Sequence, residues 1–467
     1  MEAIKTMRHS VIENPCHACM PLGAILAFKG IQGAMVIIHG SQGCSTYMRR
    51  HISEHYNEPI DVASSSITEP GTIYGGSVHL KKGLDHLIQV YHPELIGILS
   101  TCLAETIGED IARIAAEYTV ERDMGAYPLV SVPTPGYGGG HSEGYFLAVR
   151  HIIARIARPV PKHHRINVIV PHLTPAEVRE IKRIMDLMGV DYILCPDYSE
   201  TLDSPFARPY QKIADGGTSL QELAMMGGAS ATIEMSRCVE PHLSPGRYLA
   251  GTFEVPLYNS PVPVGIEATD LFVNLLKELS GQPLPDVLQR ERGRLLDGMI
   301  DSHKYNAEGR AVIFGDPDMV LAVSSICMEN GIVPAVAASG VHSKALELEM
   351  QTLTAGRTDV VTVTETDLAV IRELAVKAEA NIAIGHSDGR YLTEREGIPL
   401  VRLGFPIHDR VGGQRLVSVG YAGTMMLLDR ITNCLLDSKL SAYRPRMLKK
   451  YYSEPSGKFQ KIEVNKP

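Results

Sequence analysis

The sequence has no tryptophan and no apolar run long enough to cross a membrane. The first absence decides nothing, and the second excludes a helical membrane span. Excess positive charge is missing too. The 45 Lys and Arg against 53 Asp and Glu leave a formal charge of -8, whereas neutralising nucleic-acid phosphates needs a basic face. No nucleic-acid partner is expected. The first twenty residues alternate charged and apolar types without a continuous apolar stretch, so neither a secretory signal nor an anchor is expected, and a cytoplasmic location follows. Cysteine is scarce: eight residues are too few for a disulfide scaffold in so long a chain, and in a reducing compartment clustered thiols point to metal or catalysis. No G-x-x-x-x-G-K-S/T loop occurs, so any ATP coupling belongs to a partner.

What is present describes an ordinary folded chain. An apolar fraction of 44% and a charged fraction of 21% suit globular structure, and 467 residues are enough for roughly three domains of about 150. Short apolar runs ending in Gly or polar turns alternate with helical stretches: Ala34 to His39, Leu95 to Ser100, Leu129 to Val132, Ile166 to Val170 and Tyr192 to Leu194. The pattern restarts at Ala311 to Phe314, followed by a helix to Glu329 and strands at Val333 to Ala338, Val360 to Val363, Ile382 to Ile384 and Leu400 to Leu403. Parallel strands need helical crossovers, so the fold class is α/β, with three doubly wound parallel-sheet domains at 1–160, 161–305 and 306–440. Pro241 to Pro263 reads as an irregular excursion and Gly420 to Leu440 as a helix packing across domains. A basic arm over 441–467, with Arg444, Arg446, Lys449 and Lys450, reads as a solvated or partner-draped tail.

Three cysteines fall where strands or turns hand over to helices: Cys19 before Pro21-Leu22-Gly23, Cys44 closing His39-Gly40-Ser41-Gln42-Gly43, and Cys102 in Ser100-Thr101-Cys102. The carboxyl edge of a doubly wound sheet is where ligands bind, and a helix amino terminus favours the thiolate that iron needs. Gly40 and Gly43, lacking Cβ atoms, let backbone amides approach a bulky cluster. Three thiolates do not complete an ordinary four-cysteine cluster. The remaining ligands come from Cys16, another residue type or another chain, and another chain fits best. Cys16 and Cys19 form a Cys-x-x-Cys pair, but in an approach segment rather than behind a strand, unlike a dithiol redox motif. Cys195, Cys238, Cys327 and Cys434 have no paired spacing and read as structural thiols.

Asn14-Pro15, the segment Cys19 to Ala24, His39-Gly40-Ser41-Gln42-Gly43-Cys44, Ser65-Ser66-Ile67-Thr68-Glu69, Gly75-Gly76 and Thr101-Cys102-Leu103-Ala104-Glu105 resemble, in order and spacing, the β subunit of nitrogenase component 1. The resemblance continues through Arg292-Gly293-Arg294-Leu295, Asp301-Ser302-His303, Gly315-Asp316-Pro317-Asp318 and Gly404-Phe405-Pro406. It implies Rossmann-like domains, an α₂β₂ assembly with a homologous α-type subunit, and an 8Fe-7S P-cluster shared between the two subunits. Cys19, Cys44 and Cys102 would be its ligands here, with Gly40, Gly43 and Gly136 beside it. It further implies an ATP-hydrolysing iron protein as electron donor and a FeMo-co-like cofactor in the α subunit, with no catalytic residue in this chain. There are departures. The family's Thr-Pro-Ser turn, whose serine can bind the oxidised cluster, stands here as Thr134-Pro135-Gly136, and the extended amino-terminal arm of many β subunits has no counterpart. Asp409-Arg410-Val411-Gly412-Gly413 is more similar to the related cofactor-assembly scaffold, which would hold a 4Fe-4S cluster but typically lacks cysteines matching Cys19 and Cys102. Together these departures lean toward a nitrogenase-like branch such as methylthio-alkane reductase, with dinitrogen reduction and a non-catalytic scaffold as the alternatives.

Three further signals are set aside. His51-Ile52-Ser53-Glu54-His55 fits the H-x-x-E-H zinc pattern but follows Cys44 directly and reads as a polar helix face. Gly136-Tyr137-Gly138-Gly139-Gly140-His141 begins like a dinucleotide fingerprint, with His141 in place of the third glycine, and reads as a loop near the cluster. Asp316 and Asp318 read as helix capping rather than as a cation-binding carboxylate pair.

Overall fold

A computed structural model describes residues 15–125 and 127–452. The apolar hexapeptides β1 (Ala34–His39) and β3 (Leu95–Ser100) are buried at every position, as strands covered on both faces require. With β2 (Ala63–Ser64) and β4 (Leu129–Val132) they form a parallel sheet in the order β2-β1-β3-β4, Ile37 pairing with Ile98. A second parallel sheet, β6-β5-β7-β8, contains β5 (Ile166–Ile169), β6 (Tyr192–Cys195), β7 (Ala231–Glu234) and β8 (Leu257–Asn259). The third, β11-β10-β9-β12-β13, contains β9 (Arg310–Phe314), β10 (Val333–Ala338), β11 (Val361–Val363), β12 (Ile382–Gly385) and β13 (Leu400–Arg402). Helices cross over between the strands, so the class is the expected α/β with doubly wound parallel sheets. No helix among the described residues is long and apolar enough to cross a membrane.

Two sequence expectations need correction. Pro241 to Pro263 is not an irregular excursion: it holds the helix Pro245–Phe253 and the edge strand β8. Ser244 caps that helix by accepting the Arg247 N–H, and Pro245 occupies its first turn, where a missing N–H costs nothing. The arm assigned to begin at 441 starts inside a helix running unbroken over Gly420–Tyr452 with Pro445 in it. Arg444, Arg446, Lys449 and Lys450 are exposed on it, and residues 453–467 of the arm lie outside the described residues. This helix packs along Asp286–Asn306 and also touches Ile266–Ser280, Pro175–Leu187 and β13. Tyr421 donates to Asp270 at 2.7 Å, and Asp270 also receives the Arg292 guanidinium.

The Asp409-to-Gly413 stretch is built into this frame. Arg402 grips the Asp409 carboxylate with two prongs, Nη2 at 2.6 Å and Nε at 2.9 Å, and the Ser387 hydroxyl adds a third bond. Burial opposes ionisation of Asp409, but these donors outweigh it and hold the carboxyl down to about 2. A depressed carboxylate stabilises the fold above its unfolded-state value near 3.9, and that contribution is lost as pH falls toward about 2. Asp409→Asn is therefore expected to cost about 2 kcal/mol at pH 7, with the deficit shrinking below about pH 4. Urea unfolding of parent and variant at pH 7 and pH 3 checks this. An equal deficit at both values would contradict it.

Candidate metal centre

Each of the three cysteines opens a helix. Cys19, in extended conformation, is the N-cap of Met20–Lys29, with Pro21 in the first turn. Cys44 lies in the first turn of Gln42–Tyr56, which follows β1, and Cys102 begins Cys102–Thr106, which follows β3. Thr101 ties the last two loops together: its hydroxyl donates to the His39 carbonyl at 3.1 Å and accepts from the Ala104 N–H. The turn after β4 completes the ring, where the Gly136 N–H donates to Cys102 Sγ at 3.1 Å.

The sulfurs converge. A Cβ placed on Gly136 would lie 3.2 Å from Cys102 Sγ and 3.6 Å from Cys19 Sγ, so any side chain there would intrude between them. Burial pushes the Cys19 thiol up, and the neighbouring Cys102 and Cys44 sulfurs push it further. Clustered thiolates repel one another, so the arrangement favours a cation that neutralises them. Three clustered thiols are the donor chemistry that an iron–sulfur group would take. Cys19 and Cys102 are exposed and Cys44 half-exposed, so the site opens at the surface.

Cys16 is not brought to this site. It is buried in the third sheet's core beside Val312 and Phe314, with Sγ 3.5 Å from His386 Nε2. Burial, then the Asp316 charge, push its thiol well above the ordinary range. Cys16 is neither a fourth ligand nor half of a reactive dithiol. Cys195, Cys238 and Cys327 are buried as expected, and Cys434 is half-buried.

The three glycines play different parts. A Cβ on Gly40 would meet Thr101 Oγ1 at 2.2 Å, so this buried glycine permits loop-to-loop packing rather than approach to a cluster. Gly43 is exposed, and a Cβ there would meet only Ser41 Oγ at 3.9 Å, so the backbone beside Cys44 is left nearly uncovered. Gly136 touches Cys102 Sγ directly and faces Cys19 Sγ. Beneath the loops the Gly40 N–H donates to Ser65 Oγ at 3.1 Å, and Ser65 Oγ lies 3.0 Å from His39 Nδ1. His39 Nε2 faces Glu109 at 3.4 Å, and Glu109 also receives the Gly76 N–H at 2.6 Å. Burial lowers the basicity of His39. The Ser65 and Gly75-Gly76 motifs are thus the buttress of the Cys44 loop.

Sequence reasoning missed the contact that places Cys19. The helix Met20–Lys29 lies against His141–Ile156 with glycines at the crossing: a Cβ on Gly23 would fall 1.6 Å from the His141 carbonyl oxygen, and one on Gly144 would fall 2.0 Å from that of Met20. It also missed His141 itself, whose Nε2 meets Asp316 at 3.0 Å. Asp316 stands at the N-cap of Pro317–Glu329 without capping it, which corrects the capping expectation for that residue. Asp318 turns elsewhere, accepting from Ser236 Oγ at 2.5 Å and the Arg237 N–H at 2.9 Å, so the two carboxylates are not a pair. The H-x-x-E-H residues also diverge. His55 is buried and accepts the Ile407 N–H at 2.8 Å, while Glu54 pairs with exposed Arg50. The glycine-rich turn after Gly136 leads into a helix amino terminus where Glu143 accepts the Gly140 N–H at 2.5 Å, leaving that end no vacancy for a phosphate.

Comparison with known proteins then decides the family. The family model for nitrogenase component 1 type oxidoreductases matches residues 19–436. The chain belongs to that family. It is 32% identical to the nitrogenase molybdenum-iron protein beta chain of Clostridium pasteurianum, over 91% of this chain and 93% of that one. Against the beta chain of Methanococcus maripaludis identity is 34%, covering 94% and 97%, and against that of Bradyrhizobium diazoefficiens 34%, covering 92% and 85%. The solved structure of nitrogenase Cp1 at pH 6.5 superposes with a TM-score of 0.88 at 30% identity, covering 98% of both chains. A chain of nitrogenase Cp1 at pH 5 shares the fold alone, with a TM-score of 0.67 at 15% identity. This nitrogenase component 1 chain is a β-type subunit of an oxidoreductase that works in a complex.

Proposed function

We propose that this chain holds one half of an 8Fe-7S P-cluster shared with a homologous α-type subunit in an α₂β₂ assembly, with Cys19, Cys44 and Cys102 as its ligands. The observation that carries the reading is the convergence of three thiols from separate loops at an open surface, with Cys16 turned away. When bound, the cluster supplies reversible electron storage between an ATP-hydrolysing iron protein and a FeMo-co-like cofactor in the α subunit. This chain's own residues anchor and tune it. Thr101 and the Ser65–His39–Glu109 chain hold the two loops in register, and the Gly136 N–H, which donates to Cys102 Sγ, would help orient that sulfur toward a bound cluster. For the domains we propose the units 1–160, 161–305 and 306–440, supported by one parallel sheet falling inside each, with the basic arm beginning inside the last helix.

For the substrate we propose reductive C–S cleavage of small methylthio compounds. Gly136 in place of the family's serine supports it, as does the Asp409-to-Gly413 stretch that departs from the common beta chain. Dinitrogen reduction is the second reading, supported by the names of those relatives. A non-catalytic scaffold is the third reading, supported by the Asp409-to-Gly413 stretch, while the three thiols at one site favour the enzyme. The test supplies the purified complex with its iron protein and ATP, then compares ammonia from dinitrogen with methanethiol and hydrocarbon from methylthioethanol or dimethyl sulfide. Methanethiol release is the expected result. Vigorous ammonia formation without C–S cleavage would overturn the substrate assignment and leave the cluster reading standing. Transfer of a cofactor to another protein, with no reduction of either substrate, would establish the scaffold.

A further inference from the structure

His141, His172 and Asp316 bring nitrogen and oxygen donors within 4.8 Å of one another, from segments that follow β4, β5 and β9. As ligands for a single ion they fail on the proton count. The Ala18 N–H donates to His141 Nδ1 at 3.3 Å, so the hydrogen-bond pattern leaves the lone pair on Nδ1 and puts the ring proton on Nε2. That proton faces the Asp316 carboxylate, whose oxygens lie 3.0 and 3.1 Å away. Both ring nitrogens are engaged, and neither has an electron pair left for a metal.

The same pattern gives the imidazole a different task. The structure assigns His141 as a positioning residue for Cys19, an inference that rests on the cluster reading above. Ala18 leads directly into Cys19, and His141 holds it from both sides: the ring takes the Ala18 amide, and the His141 backbone N–H donates to the Ala18 carbonyl at 2.9 Å. Cys19 and Gly140 form an antiparallel bridge alongside. Asp316, its side chain 18% exposed, fixes the tautomer, because a ring proton moved to Nδ1 would point at the Ala18 N–H. A turn of the third sheet thereby sets the geometry of a cysteine at the edge of the first. This accounts for an N-cap aspartate that does no capping. Groups that orient metal ligands in this indirect way are worth roughly ten- to a hundredfold in metal retention.

The test uses the assembled complex and three variants, reading iron loss to bathophenanthroline disulfonate together with the EPR spectrum of the oxidised cluster. The parent is measured first: a parent without a cluster refutes the cluster reading itself. Given a parent cluster, His141→Phe fills the space without an acceptor and is expected to release iron about tenfold faster, with an altered spectrum. His141→Asn, whose amide oxygen reaches the Nδ1 position, is expected to restore the parental spectrum and most of the retention. Asp316→Ala keeps the imidazole but frees its tautomer, and is expected to resemble His141→Phe, so it carries the test if the phenylalanine variant fails to fold. Parental iron retention in His141→Phe or in Asp316→Ala, or failure of a folded His141→Asn to restore it, would overturn the assignment.

Discussion

Complexes carrying Cys44→Ala or Cys102→Ala are expected to lose cluster iron and substrate turnover together, whereas Cys327→Ala and Cys434→Ala keep both. A thiolate removed from iron opens the cluster to solvent, and in Cys102→Ala the Gly136 N–H also loses its acceptor. Cys327 is fully buried and away from the site, so its replacement leaves a small cavity costing about 1 to 2 kcal/mol. Cys434 is half-buried and costs less. Iron content and turnover of the four variants, measured against tetramer assembly, separate the two pairs. Normal turnover in Cys44→Ala would remove the core of the cluster assignment.

The second large effect concerns residues that carry no chemistry. Gly23→Ala and Gly144→Ala are expected to destabilise the chain by about 3 kcal/mol or more, the upper end of the overpacking range. Helix propensity favours alanine by roughly 1 kcal/mol, but the new methyl would stand 1.6 Å from the His141 carbonyl oxygen in one case and 2.0 Å from the Met20 carbonyl oxygen in the other. Backbone cannot yield as a side-chain tip does, so the two helices separate. Cys19 sits at the start of one and His141 at the start of the other, so cluster iron is expected to fall with stability. Gly293→Ala, on a helix with nothing within 4 Å of the added methyl, is the control and is expected to be neutral or slightly stabilising. Unfolding curves and iron content for the three variants check this. Parental values in Gly144→Ala would contradict the close crossing.

How much of this was legible in the sequence follows from which contacts are local. β1, β3, β4 and β10 stand at their predicted bounds, because apolar runs between turn residues leave a parallel strand little choice. β7 was missed because it ends in Glu234, a carboxylate that belongs in a buried strand only when Ser244, the Gly246 N–H and Asn259 supply its hydrogen bonds. β8, with Tyr258 and Asn259 exposed, lacks the apolar run, and β2 is two residues long. At the site, Cys44 and Cys102 were legible from their place between strand and helix, and Cys19 from the turn before its helix. Their supports were not, since Asp316 reaches His141 across 175 positions and Ile407 reaches His55 across 352. Gly23 and Gly144 look like ordinary helix residues until the two helices are laid together.

The shared cluster is tested most directly by counting iron, with Mössbauer spectra, on this chain purified alone and again after assembly with its α-type subunit. On the proposed reading the three thiols at an open surface are half of a site, so the chain alone is expected to carry no stable eight-iron complement and to gain one on assembly. A full and stable eight-iron cluster on the isolated chain would contradict it.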